Sequence, residues 1–158
     1  MLMIKIREKP NERNPMRSLP LLICLVCLNA NAGEVSAPQL VVEKYFEYFN
    51  DKDRDALNAT TGQPFIFSIN GHITRWDNYG DAVDFDGLRK SGWSYSRIHN
   101  NELVYADDIS AMVDINFSRY NTSDEPISTT NVVYILVKRD GVWKLKSGFA
   151  NGSLTLGK

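Results

Sequence analysis

Residues 109–149 decide the fold, and they read ISAMVDINFSRYN, then TSDEPISTT, then NVVYILVKRDGVWKLKSGF. Apolar and polar residues alternate over residues 113–118, which is typical of a strand with one buried face. Residues 132–137 lack polar breaks and predict a central strand that is covered on both faces. Asp140-Gly141 is a strong hairpin signal, because both central positions of a type I′ turn require a positive φ. The stretch therefore predicts long antiparallel strands.

The register between the last two of these strands stays open. With a two-residue loop, Tyr134 faces the same side of the sheet as Ser147. A three-residue loop over residues 139–141, closed by a bulge, puts Val133 on that side instead. The sequence does not choose between the two loops, so Tyr134 is left out of the candidate site.

The N-terminal part has the pattern of a secretory signal peptide. Residues 19–28, LPLLICLVCL, are apolar but too few to span a bilayer, and basic residues precede them. Ala30 and Ala32 then form the small-x-small pattern that signal peptidase accepts. We interpret residues 1–32 as a signal peptide, with Met16 as an alternative start. A retained N-terminal anchor is the competing interpretation.

Cleavage would leave residues 33–158 as a single domain, either periplasmic or secreted. Cys24 and Cys27 lie in the apolar run, so this domain would have no disulfide and no thiolate. It would carry 13 basic and 17 acidic residues, a net charge of −4, without a basic cluster. We therefore expect no binding to nucleic acid, and none to membranes once the signal peptide is removed.

Three helices and a hairpin are predicted before the long strands. The first helix has an aromatic stripe that must be buried, with spacings i, i+3, i+4 and i+7: Val42, Tyr45, Phe46 and Phe49. Asp51 or Asp53 can cap a second helix over residues 54–58, and a third is predicted over residues 81–90. After a loop at residues 60–64, strands at 65–69 and 72–76 flank an Asn-Gly turn. Residues 93–100 form another strand, with 102–106 as its continuation or partner.

This order predicts an α+β fold, in which three N-terminal helices cover one face of a curved, cone-shaped antiparallel sheet. It resembles the nuclear transport factor 2-like superfamily, a cystatin-like α+β roll, and especially its SnoaL-like and ketosteroid-isomerase-like members. The resemblance lies in VVEKYFEYFNDKDRDAL at residues 41–57 and NVVYILVKRDGVWKLKSGF at residues 131–149. It implies a cavity between helices and sheet, and a homodimer formed through the outer sheet face, which residues 132–137 suit.

The same resemblance does not identify an activity, because the superfamily contains isomerases, dehydratases, epoxide hydrolases and binding proteins. Its isomerases place a general-base Asp near the first hairpin and an oxyanion-stabilising Tyr on the first helix. Tyr45 is at a suitable helix position, but the hairpin has no carboxylate before Asp77. Its dehydratases use a His-Asp pair, for which His99 and Asp114 are candidates only if their strands bring them together.

The predicted ligand pocket contains two helix aromatics, one hairpin aromatic and two polar side chains: Tyr45, Phe49, Trp76, His99 and Arg119. Arg119 lies two residues after Phe117 and should face inward with Val113 and Ile115 as well. In that position it needs a carboxylate partner or an anionic ligand. The alternative is an Arg at the rim, with its head in water. His99 is either an acid-base group of the cavity or a surface strand residue.

No metal site and no cofactor is predicted, because the two histidines are separated and no nucleotide-binding motif occurs. The leading hypothesis is an exported domain that binds a small apolar or amphipathic molecule in the cavity without catalysis. The second is an isomerase, lyase or hydrolase that uses His99 with Tyr45 or an Asp. The third is an accessory subunit that dimerises or docks through its sheet.

Overall fold

The structure is a computed structural model, and it describes residues 37–157. The predicted signal peptide and its cleavage site lie outside the described residues. Within them, three α-helices and a short 3-10 turn occur in the order α1 (Ala37–Asp51), α2 (Arg54–Thr60), the turn Tyr79–Ala82, and α3 (Phe85–Lys90). Six strands complete the domain: β1 (Thr61–Ile69), β2 (His72–Trp76), β3 (Tyr95–Ala106), β4 (Ser110–Tyr120), β5 (Pro126–Arg139) and β6 (Val142–Ala150).

The strands form one sheet in the order β2-β1-β6-β5-β4-β3. Every pairing is antiparallel except that of β1 with β6, which is parallel. The predicted α+β class, with helices on one face of a curved sheet, is confirmed, and the sheet is mixed rather than wholly antiparallel. β1 lies beside the last strand, β6, and not beside β3, so this parallel pairing joins the first and last strands of the described residues.

The aromatic stripe of α1 is buried against the sheet, as the sequence predicts. Tyr45, Phe46 and Phe49 are between 4% and 6% exposed, and Val42 is fully buried. The Phe46 ring lies edge-on to Phe117 of β4, with ring centroids 5.0 Å apart. Each such side chain stabilises the fold by roughly 1.5–3 kcal/mol through the apolar surface that it removes from water.

The two short helices begin at aspartate caps. Asp53 accepts a hydrogen bond of 2.9 Å from the backbone N–H of Ala56, which selects Asp53 over Asp51 as the cap of α2. The third helix is shorter than the predicted residues 81–90, because Asp84 caps it by accepting from the N–H of Gly87 at 3.0 Å. The residues before Asp84 form the separate 3-10 turn instead.

The predicted loop at residues 60–64 is wrong from Thr61 onwards, since β1 already begins there. Thr61 pairs with Leu145 of β6, and its hydroxyl donates to the carbonyl oxygen of Leu57 at 2.9 Å. Pairing with β6 lets β1 begin directly after α2. This pairing between distant segments is not visible in the local sequence. Residues 102–106 continue β3 and do not form a separate strand.

The β5–β6 loop has two residues, and both have the positive φ that a type I′ turn needs: 51° at Asp140 and 79° at Gly141. Because Lys146 is an extra residue in β6, Val133 nevertheless faces the same side of the sheet as Ser147, as in the second alternative. This bulge places Tyr134 opposite Gly148. Tyr134 is 2% exposed and points into the core on the helix side of the sheet.

Candidate functional site

A small cavity lies between α1, the sheet and the C-terminal tail. Three tyrosines and one arginine supply most of its polar groups, phenylalanine rings supply much of its wall, and two leucines of the tail complete it: Tyr45, Tyr79, Tyr134, Arg119, Leu154 and Leu156. The cavity has a free volume of about 20 Å³. This is room for roughly one water molecule, so a larger guest requires part of the wall to move.

Arg119 enters this cavity from β4 and is 6% exposed. The predicted inward orientation is confirmed, since the residue is 6% exposed and its Nε is fully buried. Its Nε lacks a hydrogen-bond partner, and no carboxylate of the described residues forms an ion pair with it. Burial lowers the pKa of Arg119, while the neighbouring tyrosines Tyr79, Tyr45 and Tyr134 oppose this change.

The three tyrosines form a hydroxyl cluster beside that guanidinium. The hydroxyl oxygens of Tyr45 and Tyr79 are 2.7 Å apart, which is a hydrogen bond, and the rings of Tyr45 and Tyr134 meet edge-on with centroids 5.6 Å apart. Burial raises the pKa of Tyr79 to about 12 and raises the pKa of Tyr45 and Tyr134 above the usual value as well. All three are therefore neutral hydrogen-bonding groups at physiological pH.

Gly148 makes room for this cluster. A Cβ atom at Gly148 would overlap the Phe67 ring and lie 3.0 Å from the Tyr134 ring. Phe67 and Tyr134 stack with centroids 6.3 Å apart over this position. The aromatic wall can approach the sheet closely only because β6 has no side chain there.

The tail after β6 closes the cavity. It begins at Gly152, which exchanges two hydrogen bonds of 2.7 and 2.8 Å with the side chain of Asn70. It is fixed again at Leu156, whose carbonyl oxygen accepts from the N–H of Asp84 at 2.8 Å. A Cβ atom on Gly87 of α3 would overlap the backbone of Gly157, which accounts for a glycine inside that helix.

The structure brings together three of the five residues predicted for the pocket, namely Tyr45, Phe49 and Arg119. Trp76 does not line the cavity, although its ring lies edge-on to Tyr79 at 6.1 Å. His99 does not line it either, since it is exposed at a bulge in β3 between Ile98 and Asn100. His99 shares the outward parity of the exposed Arg97, whereas Ser96 and Ile98 face the helix side of the sheet.

His99 also lacks the acidic partner that a His-Asp pair requires. Its Nε2 is 2.8 Å from the hydroxyl oxygen of Ser118, which in turn is 2.7 Å from that of Thr129. Asp114 pairs with Glu102, further along the same two strands. The strands therefore do not bring His99 and Asp114 together.

Sequence reasoning missed eight of the eleven residues that line the cavity, among them Tyr79, Tyr134, Leu154 and Leu156. Tyr134 depends on the bulge at Lys146, which leaves no signal in the hydrophobic pattern. Tyr79 follows a hairpin in a segment that reads as a turn. The alternating leucines of the tail, in SLTLG, were a usable signal for a segment with one buried face.

A larger groove of about 880 Å³ lies on the surface between the start of β1 and the β5–β6 hairpin. It is open to solvent, and Arg139, Lys144 and Lys146 are its cationic residues. The Lys146 ammonium already donates to the carbonyl oxygens of Gln63 at 2.9 Å and Pro64 at 2.6 Å. The groove therefore lacks the unsatisfied buried group that distinguishes the cavity.

Residues 37–157 contain neither a candidate metal cluster nor a candidate membrane span. In that part of the chain, no group of three or more His, Cys, Asp or Glu side chains is placed to hold a metal ion. No helix there is both long and apolar enough to cross a bilayer.

Comparison with protein families gives one match over most of the chain. The family described as NTF2-like protein (DUF6841) matches residues 36–152. The chain belongs to this NTF2-like family. The match ends before Leu154 and Leu156, so the tail that closes the cavity lies beyond the part that the family shares. No functionally curated protein matches the chain.

Solved structures show the same fold at low sequence identity. A cystatin-like protein of unknown function from Nostoc punctiforme has a TM-score of 0.61 and 12% identity, covering 73% of this chain and 87% of its own. A candidate ketosteroid isomerase from Shewanella frigidimarina has a TM-score of 0.57 and 14% identity, with coverages of 73% and 94%. A candidate dehydratase of the NTF2-like family from Streptomyces avermitilis has a TM-score of 0.58 and 12% identity. This match covers 77% of this chain and 96% of the dehydratase chain.

Proposed function

We propose that this protein binds a small amphipathic molecule in the cavity between α1 and the sheet, without catalysing a reaction on it. The observation that carries the proposal is an aromatic cavity whose polar groups are concentrated at one place, around Arg119 and the tyrosine hydroxyls. Pockets of this kind, mostly apolar with a few convergent polar groups, are typical of small-molecule sites.

The ligand must take the place of the tail leucines, because the closed cavity holds about 20 Å³. Leu154 is half-buried and Leu156 is 9% exposed, and both would leave by a movement of the tail that breaks the hydrogen bond from the Asp84 N–H to Leu156. Gly152, with a φ of 110°, is a suitable hinge between β6 and the tail. An apolar ligand group would restore the contacts that the leucines lose.

Absence of a base at the site favours binding over catalysis. The cavity is lined by aromatic and leucine side chains, Ser96 and Arg119, with no carboxylate and no imidazole among its lining residues. A tyrosine with a raised pKa is a poor base at neutral pH, and Tyr45 and His99 lie on different faces of the sheet. The isomerase, lyase or hydrolase alternative draws support from candidate enzymes of the same fold.

Export and dimerisation belong to the same proposal. Residues 1–32 have the composition of a signal peptide, which supports a periplasmic or secreted protein. On the outer sheet face, Phe149 is 48% exposed beside the half-buried Val133, and this apolar surface suits a second copy of the chain.

Chemical-shift mapping tests the binding site directly. Short-chain fatty acids, their amides and the corresponding alcohols would be added to ¹⁵N-labelled protein. We expect the largest amide shifts around Tyr45, Leu154 and Leu156, and a ligand that is recovered unchanged. Shifts confined to the open groove near Lys146 would contradict the proposed site, and conversion of the ligand would favour the enzyme.

A further inference from the structure

We propose that the ligand of this cavity is a monocarboxylate with an apolar tail, held by a charge-assisted hydrogen bond from Arg119. This inference rests on the proposed function and specifies its ligand class. The carboxylate would take the position beside Nε, and the apolar tail would fill the space that Leu154 and Leu156 vacate.

The unpaired state of Arg119 is the observation that requires a partner. A buried guanidinium without a counter-charge is strongly unfavourable, because its desolvation is not compensated by hydrogen bonds or by an opposite charge. The exposed arginines of this protein illustrate the contrast: Arg75 and Arg97 lie within 3.7 Å of a carboxylate, although water could solvate both. Within residues 37–157, no such carboxylate pairs with the buried arginine.

The tyrosine cluster does not replace that partner. The Tyr45 and Tyr79 hydroxyls bond to each other, and the Nε of Arg119 remains without an acceptor. Neutral hydroxyls can, however, donate to a second anionic oxygen placed among them. Arg119 and one tyrosine hydroxyl would then each donate to one oxygen of a carboxylate.

The net charge of the wall sets the charge of the ligand. Among the described residues that line the cavity, Arg119 alone is charged, so a single negative charge is neutralised within it. A dianion such as a phosphate monoester would bring an excess charge into an apolar enclosure. The aromatic and leucine walls in turn favour an alkyl or aryl group at the other end of the ligand.

Isothermal titration calorimetry with hexanoate and hexanamide separates charge from shape, because the two differ mainly in charge. We expect hexanoate to bind the wild-type protein at least tenfold more tightly than hexanamide. Arg119→Met should remove this difference by weakening hexanoate binding. Arg75→Met, which alters an exposed arginine outside the cavity, should bind hexanoate like the wild type. Formate serves as a third probe, carrying the carboxylate without the tail.

Each of the other outcomes contradicts a separate part of the account, either the carboxylate inference or the proposed function. Equal binding of hexanamide and hexanoate by the wild type would overturn the carboxylate inference and leave the proposed function standing. Binding of formate alone would also overturn it, because the apolar tail would then have no site. Binding of none of the three probes would contradict both. If Arg119→Met does not fold, the comparison of hexanoate with hexanamide on the wild type decides alone.

Discussion

Tyr134 of β5 lies directly opposite Gly148 of β6, and the missing side chain of Gly148 is what allows the Tyr134 ring to enter the cavity wall. The pairing exists because the bulge at Lys146 shifts β6 by one residue after a two-residue turn. Without the bulge, Tyr134 would pair with a serine, and a Cβ would occupy the space over which Phe67 and Tyr134 stack.

Gly148→Ala is therefore expected to destabilise the fold. The added methyl group would overlap the Phe67 ring and press on Tyr134, and overpacking of this kind costs about 1–3 kcal/mol. Urea unfolding would measure the change in the free energy of unfolding. Ser147→Ala, on the half-buried outer face, is the control and should change it by no more than about 0.5 kcal/mol. Equal effects of the two substitutions would contradict the close packing.

Arg119→Met is expected to stabilise the ligand-free protein. The substitution removes an unpaired buried charge and keeps an apolar stem, and replacing buried charges by apolar groups is neutral or stabilising by roughly 1–4 kcal/mol. Thermal unfolding in buffer without organic anions would measure this. A clear loss of stability would show that Arg119 has a structural partner. Arg75→Met, at an exposed position, should stay close to the wild type.

Stability is expected to fall above pH 10. The unfolded chain releases tyrosine protons near pH 10, whereas burial keeps the pKa of Tyr79 at about 12 and raises those of Tyr45 and Tyr134. Between these values the unfolded state alone loses protons, so the free energy of unfolding decreases by about 1.4 kcal/mol per pH unit for each such tyrosine. Below pH 10 their contribution is complete. Denaturant unfolding at pH 9 to 12 checks this, and a constant stability across the range would contradict it.

Leu156→Ala is expected to weaken the fold and strengthen ligand binding. Loss of a buried leucine destabilises by about 2–5 kcal/mol, while the vacated space becomes available to the apolar part of a ligand. Calorimetry with hexanoate measures the affinity, and urea unfolding measures the stability. Leu40→Ala, which alters a leucine that is 48% exposed on α1, is the control for both. An affinity unchanged by Leu156→Ala would mean that the tail does not occupy the ligand site.

Phe149→Lys is expected to dissociate a homodimer formed by the outer sheet face. A charge introduced at a 48% exposed aromatic would have to be buried in the interface, while the monomer can leave it in water. Sedimentation velocity would report a dimer for the wild type and a monomer for the variant. Ile109→Lys, at a 64% exposed position in the β3–β4 turn, should leave the dimer intact. A monomeric wild type would overturn this prediction.

The sequence was sufficient for the fold where its signals are local. The stripe that contains Tyr45 and Phe49 fixes the buried face of α1, and the alternation before Arg119 fixes the direction in which that arginine points. Both signals depend on the period of one element, which is read directly from neighbouring residues.

The cavity could be predicted only in part, because it depends on pairing between distant segments. The bulge at Lys146 determines which β6 residue lies opposite Tyr134, yet it leaves no mark in the composition of the strand. The closing contacts of Leu156 with the start of α3 join segments far apart in the chain. Such relationships are set by the packed tertiary structure and not by local propensity.

The most direct measurement follows the Nε–H resonance of Arg119 in ¹⁵N-labelled protein, assigned by its disappearance in Arg119→Met. In the ligand-free protein this N–H has no acceptor among residues 37–157. On titration with hexanoate at neutral pH, we expect its proton signal to move downfield in a saturable manner, as a charge-assisted hydrogen bond to the carboxylate forms. Hexanamide should move it much less. A resonance that stays in place while hexanoate binds would contradict the role of Arg119 in holding the ligand.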